Sequence, residues 1–98
     1  MSQTRPFALG STLLPGLSKL MEEAGEIVQV GGKMLQVGND GPHWDGSILR
    51  LRMEEELGDI TAAIEFFIEY NDLDSQRIGA RAIEKLALFV KWHKEQTQ

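Results

Sequence analysis

Apolar side chains recur at intervals of three or four residues along three segments of this 98-residue chain. This interval places side chains on one face of an α-helix. The segments predict helices over about 15–37, 47–70 and 75–95, and we therefore expect an all-α protein. The apolar positions are Leu17, Leu20, Met21, Ala24, Ile27, Val28, Met34 and Leu35; then Leu49, Met53, Leu57, Ile60, Ile64, Phe67 and Ile68; then Ile78, Ala82, Leu86, Phe89 and Val90.

The predicted helices are long for so short a chain. At 1.5 Å per residue each measures about 32 to 36 Å, and three such helices bury only part of their apolar faces within one copy. We predict a small helical bundle of three long helices, completed by homo-oligomerisation into a homodimer or a homotetramer. Residues 13–98 are expected to form a single all-α domain, and residues 1–12 a loose N-terminal arm.

Glycine and other turn-forming residues interrupt the pattern at two places. Gly31 and Gly32 lie inside the first predicted helix and each costs about 1 kcal/mol relative to alanine, so a kink or a helix end at this weak point is the alternative to one continuous helix. Residues 38–46 are dense in Gly, Asn, Asp and Pro, which predicts a loop. Asp45 or Ser47 is then expected to cap the second helix.

Composition excludes several classes of function. The formal charge of −5 disfavours a protein that grips a phosphate backbone, so no nucleic acid partner is expected. The absence of cysteine excludes disulfides, thiolate nucleophiles and cysteine-ligated metals. No apolar run approaches the roughly 18 residues of a membrane span, and the N-terminal segment does not resemble a leader. We expect a cytoplasmic protein without a membrane partner.

Five acidic residues are the candidates for chemistry. Glu22, Glu23 and Glu26 lie on the first predicted helix, and Glu56 and Asp59 lie on the second. At about 100° per residue, Glu56 falls within the margin of its apolar face, Glu23 at the boundary and Glu26 farther out. Glu56 is therefore expected to face a neighbouring helix. The alternative is that all five acids are solvated surface charges, because spacing alone is weak evidence in an acidic chain.

If these carboxylates lie close together, we expect the protein to bind a cation between them. Two carboxylates about 6 Å apart repel each other by about 3 kcal/mol at an effective dielectric constant of 20. Oxygen ligands without cysteine favour a hard divalent ion, Mg²⁺ first and Mn²⁺ second. Such an ion keeps positions for water and phosphate oxygens, which suits phosphoryl chemistry.

Two motifs carry a family resemblance. Residues 22–26 read EExxE and residues 56–59 read ExxD, each on an apolar helix, with a loop between the helices. In this the chain resembles the all-α nucleoside triphosphate pyrophosphohydrolases of the MazG type, over roughly residues 13–95. The resemblance implies that Glu23, Glu26, Glu56 and Asp59 hold Mg²⁺ and that Glu22 holds or activates the attacking water.

The implied reaction is hydrolysis of a nucleoside triphosphate between its α- and β-phosphates, which yields a nucleoside monophosphate and pyrophosphate. The resemblance also makes Lys33 and Lys85 candidates for phosphate binding, with Lys91 behind them, although each also fits a solvated helix charge. In the 38–46 loop, Trp44 beside His43 is a candidate for stacking on a base. The alternative for Trp44 is that it anchors the loop onto the body of the protein.

Three functions remain open from the sequence. The first is a Mg²⁺-dependent nucleoside triphosphate pyrophosphohydrolase that cleans the nucleotide pool. The second is a related enzyme acting on another pyrophosphate-containing substrate, such as phosphoribosyl-ATP. The third is a non-catalytic helical interaction module that keeps the fold and an acidic face. The motif context favours the first function over the second, and the presence of all five acids argues against the third.

Overall fold

The computed structural model describes residues 13–42 and 46–97, and it is helical. Its elements are α1 (Leu17–Val37), α2 (Leu49–Tyr70) and α3 (Ser75–Gln96). The described residues contain no strand, only one isolated antiparallel bridge between Pro42 and Ile48. The prediction of an all-α chain with three long helices is confirmed, and each predicted end lies within two residues of the observed one. The N-terminal arm expected at residues 1–12 lies outside the described residues.

Helices α1 and α2 pack against each other as a hairpin. The apolar core of the described residues consists of Val30 on α1 and Leu49 and Ala63 on α2. The hairpin explains why α1 continues through the two glycines at which weakness is predicted. A side chain at Gly31 would lie 3.9 Å from the Met53 side chain of α2, so the helices approach closely there and their packing supports the weak turn.

Two contacts fix the start of α1 against the end of α2. Gly16 precedes α1 with φ at 89°, a left-handed conformation that favours glycine, and a Cβ there would lie 2.7 Å from the Phe66 ring. Close by, the Asn71 side-chain amide donates hydrogen bonds of 2.9 Å to the carbonyls of Pro15 and Phe67. Glycine therefore allows the close approach, and asparagine ties the two helix ends together.

Backbone carbonyls of the preceding loop cap α2. The backbone N–H of Leu49 donates to the carbonyl of Gly41 at 3.0 Å, and that of Arg50 donates to Asn39 at 2.7 Å. These bonds satisfy amides that the first turn of a helix leaves without partners. The residue that precedes the first turn of α2 is Ile48 and not the expected Ser47, and Asp45 lies outside the described residues. The backbone carbonyls of Asn39 and Gly41, in the loop before α2, accept these hydrogen bonds in place of a capping side chain.

In the described part of the chain, the apolar face of helix α3 is exposed. Asp74 caps the helix, since its carboxylate accepts hydrogen bonds from the backbone N–H groups of Gln76 and Arg77. Every residue from Ser75 to Gln96 is described and none is buried. The large apolar residues exposed on this helix are Ile78, Ile83, Leu86, Leu88, Phe89, Val90 and Trp92. Within the described part of the chain, no helix is both long and apolar enough to cross a bilayer.

The dimensions agree with an open arrangement. The radius of gyration is 16.9 Å and the principal extents are 57 × 38 × 15 Å, whereas a compact domain of about 100 residues has a radius of gyration of about 13 Å. A single chain therefore forms an α1–α2 hairpin and an exposed third helix. The predicted three long helices are therefore confirmed, but the described residues of one copy do not bury the apolar face of α3.

Candidate metal centre

Three carboxylates from two helices converge on the inner side of the hairpin. Glu23 comes from α1, and Glu56 and Asp59 come from α2. One oxygen of each lies within 4.8 Å of the others. The three-residue spacing of Glu56 and Asp59 puts both on the same side of α2, and the antiparallel packing brings Glu23 opposite them. We call Glu23, Glu56 and Asp59 the carboxylate trio.

Two members of the trio are buried. Glu56 is 1% exposed and Glu23 is 9% exposed, whereas Asp59 is open to solvent. Glutamate is rarely buried so fully unless it has a partner. One oxygen of Glu56, Oε2, is buried and has no hydrogen-bond partner among the described residues. We call it the open oxygen of Glu56, and a cation bound to the trio would offset the cost of burying this carboxylate.

The environment shifts the acidity of both buried members. Burial raises the pKa of Glu56 above its ordinary value of 4.5; the Arg52 charge opposes this rise, and the charges of Glu26 and Asp59 add to it. Burial also raises the pKa of Glu23, and repulsion by Asp59 and Glu56 raises it further. Removal from water and mutual repulsion both disfavour the ionised trio, so without a cation the site is electrostatically strained.

An arginine that the sequence did not single out lies beside the trio. Arg52 Nη2 is 2.8 Å from Glu56 Oε1 and 3.7 Å from Glu26 Oε2, while its Nη1 is 3.2 Å from Glu55. The hydrogen bond to Glu55 and the charge of Glu56 raise the pKa of Arg52. The signal was available, because Arg52 precedes Glu55 and Glu56 by three and four residues, the spacing of helical ion pairs.

A cavity of about 460 Å³ opens beside the carboxylates. Its size falls in the range of sites for small molecules. The cavity is lined by Gly16, Lys19, Glu23, Asp59, Ala62, Ala63 and Phe66. Its wall changes from charged at the trio to apolar at the alanines and Phe66, whose ring stacks on Tyr70 at a centroid distance of 4.3 Å. Sequence reasoning missed Lys19 and Phe66, because neither motif includes them.

Of the four predicted metal ligands, the structure brings three together in the trio. Glu26 is half-buried and lies next to Arg52, outside the trio. Its role as a ligand stays a prediction. Glu22, predicted to act on water, is exposed on α1 and pairs with Lys19, with Nζ and Oε1 3.2 Å apart.

Two of the predicted substrate contacts, Lys33 and Lys85, are not among the residues that line the cavity. Lys33 is exposed toward the end of α1. The Lys85 ammonium lies 5.6 Å from the ring centre of Phe89 and 5.9 Å from that of Trp92, both on its own helix α3. Trp44 falls outside the described residues. The substrate roles of Lys33, Lys85 and Trp44 therefore stay predictions.

The donor set fits a hard divalent cation. All three ligand candidates supply carboxylate oxygen, which Mg²⁺ and Mn²⁺ prefer. The open oxygen of Glu56 is a buried acceptor without a hydrogen-bond partner among the described residues, and a cation would offset its negative charge. Three protein ligands also leave coordination positions for water and for a substrate oxygen. The alternative that all five acids are solvated is wrong for Glu23 and Glu56.

Comparison of the chain with protein-family models, with curated proteins and with solved structures finds no match. The similarity to the MazG-type enzymes therefore remains a resemblance carried by two motifs and by their placement on packed helices.

The raised pKa values predict an inverse pH dependence of stability for the protein in EDTA. Below about pH 4.5 the stabilisation from protonated Glu23 and Glu56 is fully present, and it is lost as the pH rises through their higher folded-state pKa values. We expect the free energy of unfolding in urea to fall over this range. Glu56→Gln should flatten the fall and be at least as stable as the wild type at pH 7.

The matched control is Glu54→Gln, which removes an exposed carboxylate from the same helix. Its pH profile should follow the wild type. A wild-type free energy of unfolding that rises between pH 4.5 and 7 in EDTA would contradict the strained trio.

Proposed function

We propose that this protein hydrolyses (deoxy)nucleoside triphosphates between the α- and β-phosphates in a Mg²⁺-dependent reaction, in the cytoplasm, as part of nucleotide-pool cleaning. The observation that carries the proposal is the buried open oxygen of Glu56 in a carboxylate trio whose other members, Glu23 and Asp59, line a ligand-sized cavity. The EExxE and ExxD motifs, from which the trio comes, supply the choice of reaction.

In this mechanism Glu23, Glu56 and Asp59 hold the ion, with Mn²⁺ as a substitute for Mg²⁺. A bound ion would lower the pKa of water and offset the charge of the leaving pyrophosphate. Glu22 orients the water or takes its proton from the solvent-exposed side. Water oxygen forms a bond to the α-phosphorus as the bond from that phosphorus to the bridging oxygen breaks, so the products are a nucleoside monophosphate and pyrophosphate.

The cavity suits the remainder of such a substrate. Its charged end, formed by Glu23 and Asp59, lies where metal-bound phosphates belong, and Lys19 on the rim is a cation within reach of them. The apolar wall at Ala62 and Phe66 suits a base or sugar, because base faces pack well on aromatic rings. We keep Lys33, Lys85 and Trp44 as further candidate contacts to the substrate, and we propose that they reach it in the homo-oligomer.

We also propose that copies of the chain associate into a homodimer or a homotetramer through α3. The supporting observation is the exposed apolar face of this helix, on which Ile83 is 73% and Leu86 is 63% exposed. A face of this kind is ordinarily covered in solution. A second copy is the occupant that the pattern favours, since two identical amphipathic helices bury each other by symmetry.

Two other functions keep specific support. The same trio and cavity fit phosphoribosyl-ATP, whose pyrophosphate linkage presents the same metal-binding oxygens. The exposed face of α3 also fits a non-catalytic interaction module. The buried acid argues against the latter, because an interaction surface does not need an ionisable group placed in the helical core at a cost in stability.

The central prediction concerns pyrophosphate release. A panel of canonical, deoxy and damaged nucleoside triphosphates is assayed with Mg²⁺, Mn²⁺ or EDTA. Release should require the metal, and Glu56→Gln should lower it by at least about 100-fold, because a buried ligand is lost. Glu84→Gln, which removes an exposed acid on α3 that pairs with Arg81, is the control and should retain wild-type rates.

The substrate panel also separates the alternatives. No release from any triphosphate would leave phosphoribosyl-ATP as the substrate to test. Failure there as well would favour the interaction module. Wild-type activity in Glu56→Gln would show that the trio is not the active site.

The cavity generates a second prediction. Ala62→Phe places a ring in the apolar part of the cavity, away from the carboxylates, and should raise KM about tenfold by excluding the base or sugar. Mg²⁺ affinity should not change. Ala62→Ser is the small control and should keep KM within about twofold. An unchanged KM in Ala62→Phe would place the substrate elsewhere.

The association through α3 is tested by light scattering and sedimentation. The wild type should have two or four times the 11.0 kDa mass of one chain. Leu86→Glu should shift the population toward the single chain at about 10 µM, because burying a carboxylate in an apolar interface is unfavourable. Ala80→Glu adds the same charge on the opposite side of α3 and should leave the mass unchanged. A wild type of single-chain mass would contradict the proposal.

A further inference from the structure

Arg52 joins carboxylates of both helices of the hairpin. Its side chain is only one-third exposed. One guanidinium nitrogen, Nη2, lies 2.8 Å from Glu56 on α2 and 3.7 Å from Glu26 on α1. The Nε of Arg52 is buried and has no hydrogen-bond partner in the described residues. A partly buried guanidinium of this kind is held in place by its surroundings, in contrast to a solvated surface charge.

The two oxygens of Glu56 have different environments because of this contact. Oε1 accepts the short charge-assisted contact from Arg52, while Oε2 is the open oxygen. A carboxylate anchored at one oxygen cannot turn freely about its terminal bond. The anchor therefore fixes the direction in which the open oxygen points.

Arg52 also affects which acids join the trio. Glu26 carries a motif position that the sequence assigns to the metal, yet its carboxylate lies against Arg52 and outside the trio. The arginine balances the charge of Glu26 next to the trio. The trio, Glu26 and Glu55 together carry more negative charge than a divalent ion alone offsets, so the arginine does not have to leave when the ion binds.

We propose that Arg52 is a positioning residue of the metal centre: by holding Oε1 of Glu56 and the carboxylate of Glu26, it presents the open oxygen of Glu56 to a divalent cation. The inference rests on the proposed metal-dependent function. Partners of this kind, which contact a ligand and not the metal, typically contribute a factor of about 10 to 100 in metal affinity.

The positioning role of Arg52 has one simple alternative. An arginine among carboxylates can instead occupy the place of the cation and compete with it. Removal of a competitor would increase metal affinity, whereas removal of a positioning residue decreases it. The sign of the change in affinity therefore distinguishes the two roles.

The test is calorimetric titration of the full chain with Mg²⁺ and with Mn²⁺, without substrate. We expect Arg52→Met to bind each ion about 10 to 100 times more weakly than the wild type. Arg52→Lys should recover part of the loss, because an ammonium can pair with Glu56 but lacks the second guanidinium nitrogen, which contacts Glu55 and helps to hold the side chain in place. Arg50→Met is the matched control, since Arg50 lies on the same helix and pairs with Asp40 in an exposed ion pair. Its affinity should stay within about twofold of the wild type.

A second control separates positioning from general loss of stability. Val30→Ala weakens the hairpin core without removing a charge. Its unfolding in urea with EDTA is compared with that of Arg52→Met, and its folded form should bind Mg²⁺ as the wild type does. If Arg52→Met does not fold, Arg52→Lys is compared with Arg50→Lys, and a selective loss of affinity in Arg52→Lys is then the expected result.

The outcomes distinguish this inference from the function on which it rests. Mg²⁺ binding by the wild type with equal or tighter binding by Arg52→Met overturns the role of Arg52 and leaves the metal site intact. An equal loss of affinity in Val30→Ala also overturns it, because the effect is then one of stability. Absence of Mg²⁺ binding by the wild type overturns the proposed function itself.

Discussion

The burial of one carboxylate, that of Glu56, is the constraint on which the rest of the site depends. Removing this group from water is unfavourable, and the structure offsets the cost at only one of its two oxygens, through Arg52. The second oxygen, Oε2, has no hydrogen-bond partner among the described residues, so a cation beside it would stabilise the ionised carboxylate. Oxygens of Glu23, Glu56 and Asp59 lie within 4.8 Å of one another, so the trio is a candidate site for a hard cation.

Hairpin geometry links this demand to a place for a ligand. The close approach that Gly16 permits, together with the Asn71 hydrogen bonds, holds the start of α1 against the end of α2. The same approach places Phe66 on the wall of the cavity that the carboxylates border. The candidate ligands Glu23 and Asp59 thus line the same cavity as an apolar surface, which suits the proposed binding of a polyanion through an ion and of the rest of the ligand through packing. The net charge of −5 makes that ion more important, because the protein as a whole repels a phosphate chain.

The third helix, α3, exposes an apolar face to solvent. Its cap and its length are set locally, but its apolar face has no cover within a single copy. Association through α3 would enclose that face, and it would also determine the surroundings of Lys85, whose ammonium now lies over Phe89 and Trp92. With no matching family model, curated protein or solved structure, the proposed reaction rests on the motifs, the open oxygen of Glu56 and the cavity.

Sequence periodicity by itself determined the three helices, because the 3.6-residue repeat and the Asp74 cap are local properties. It also predicted that Glu56 faces a neighbouring helix, because its position falls within the margin of the apolar face of α2. Tertiary structure alone decided which acids meet: Glu26 and Asp59 each follow a motif glutamate by three residues, yet only Asp59 joins the trio, while Glu26 turns to Arg52. Tertiary structure also decided the cap of α2 and the aromatic wall of the cavity. Helical spacing records which residues share a face, whereas the distance between two faces depends on how the helices pack.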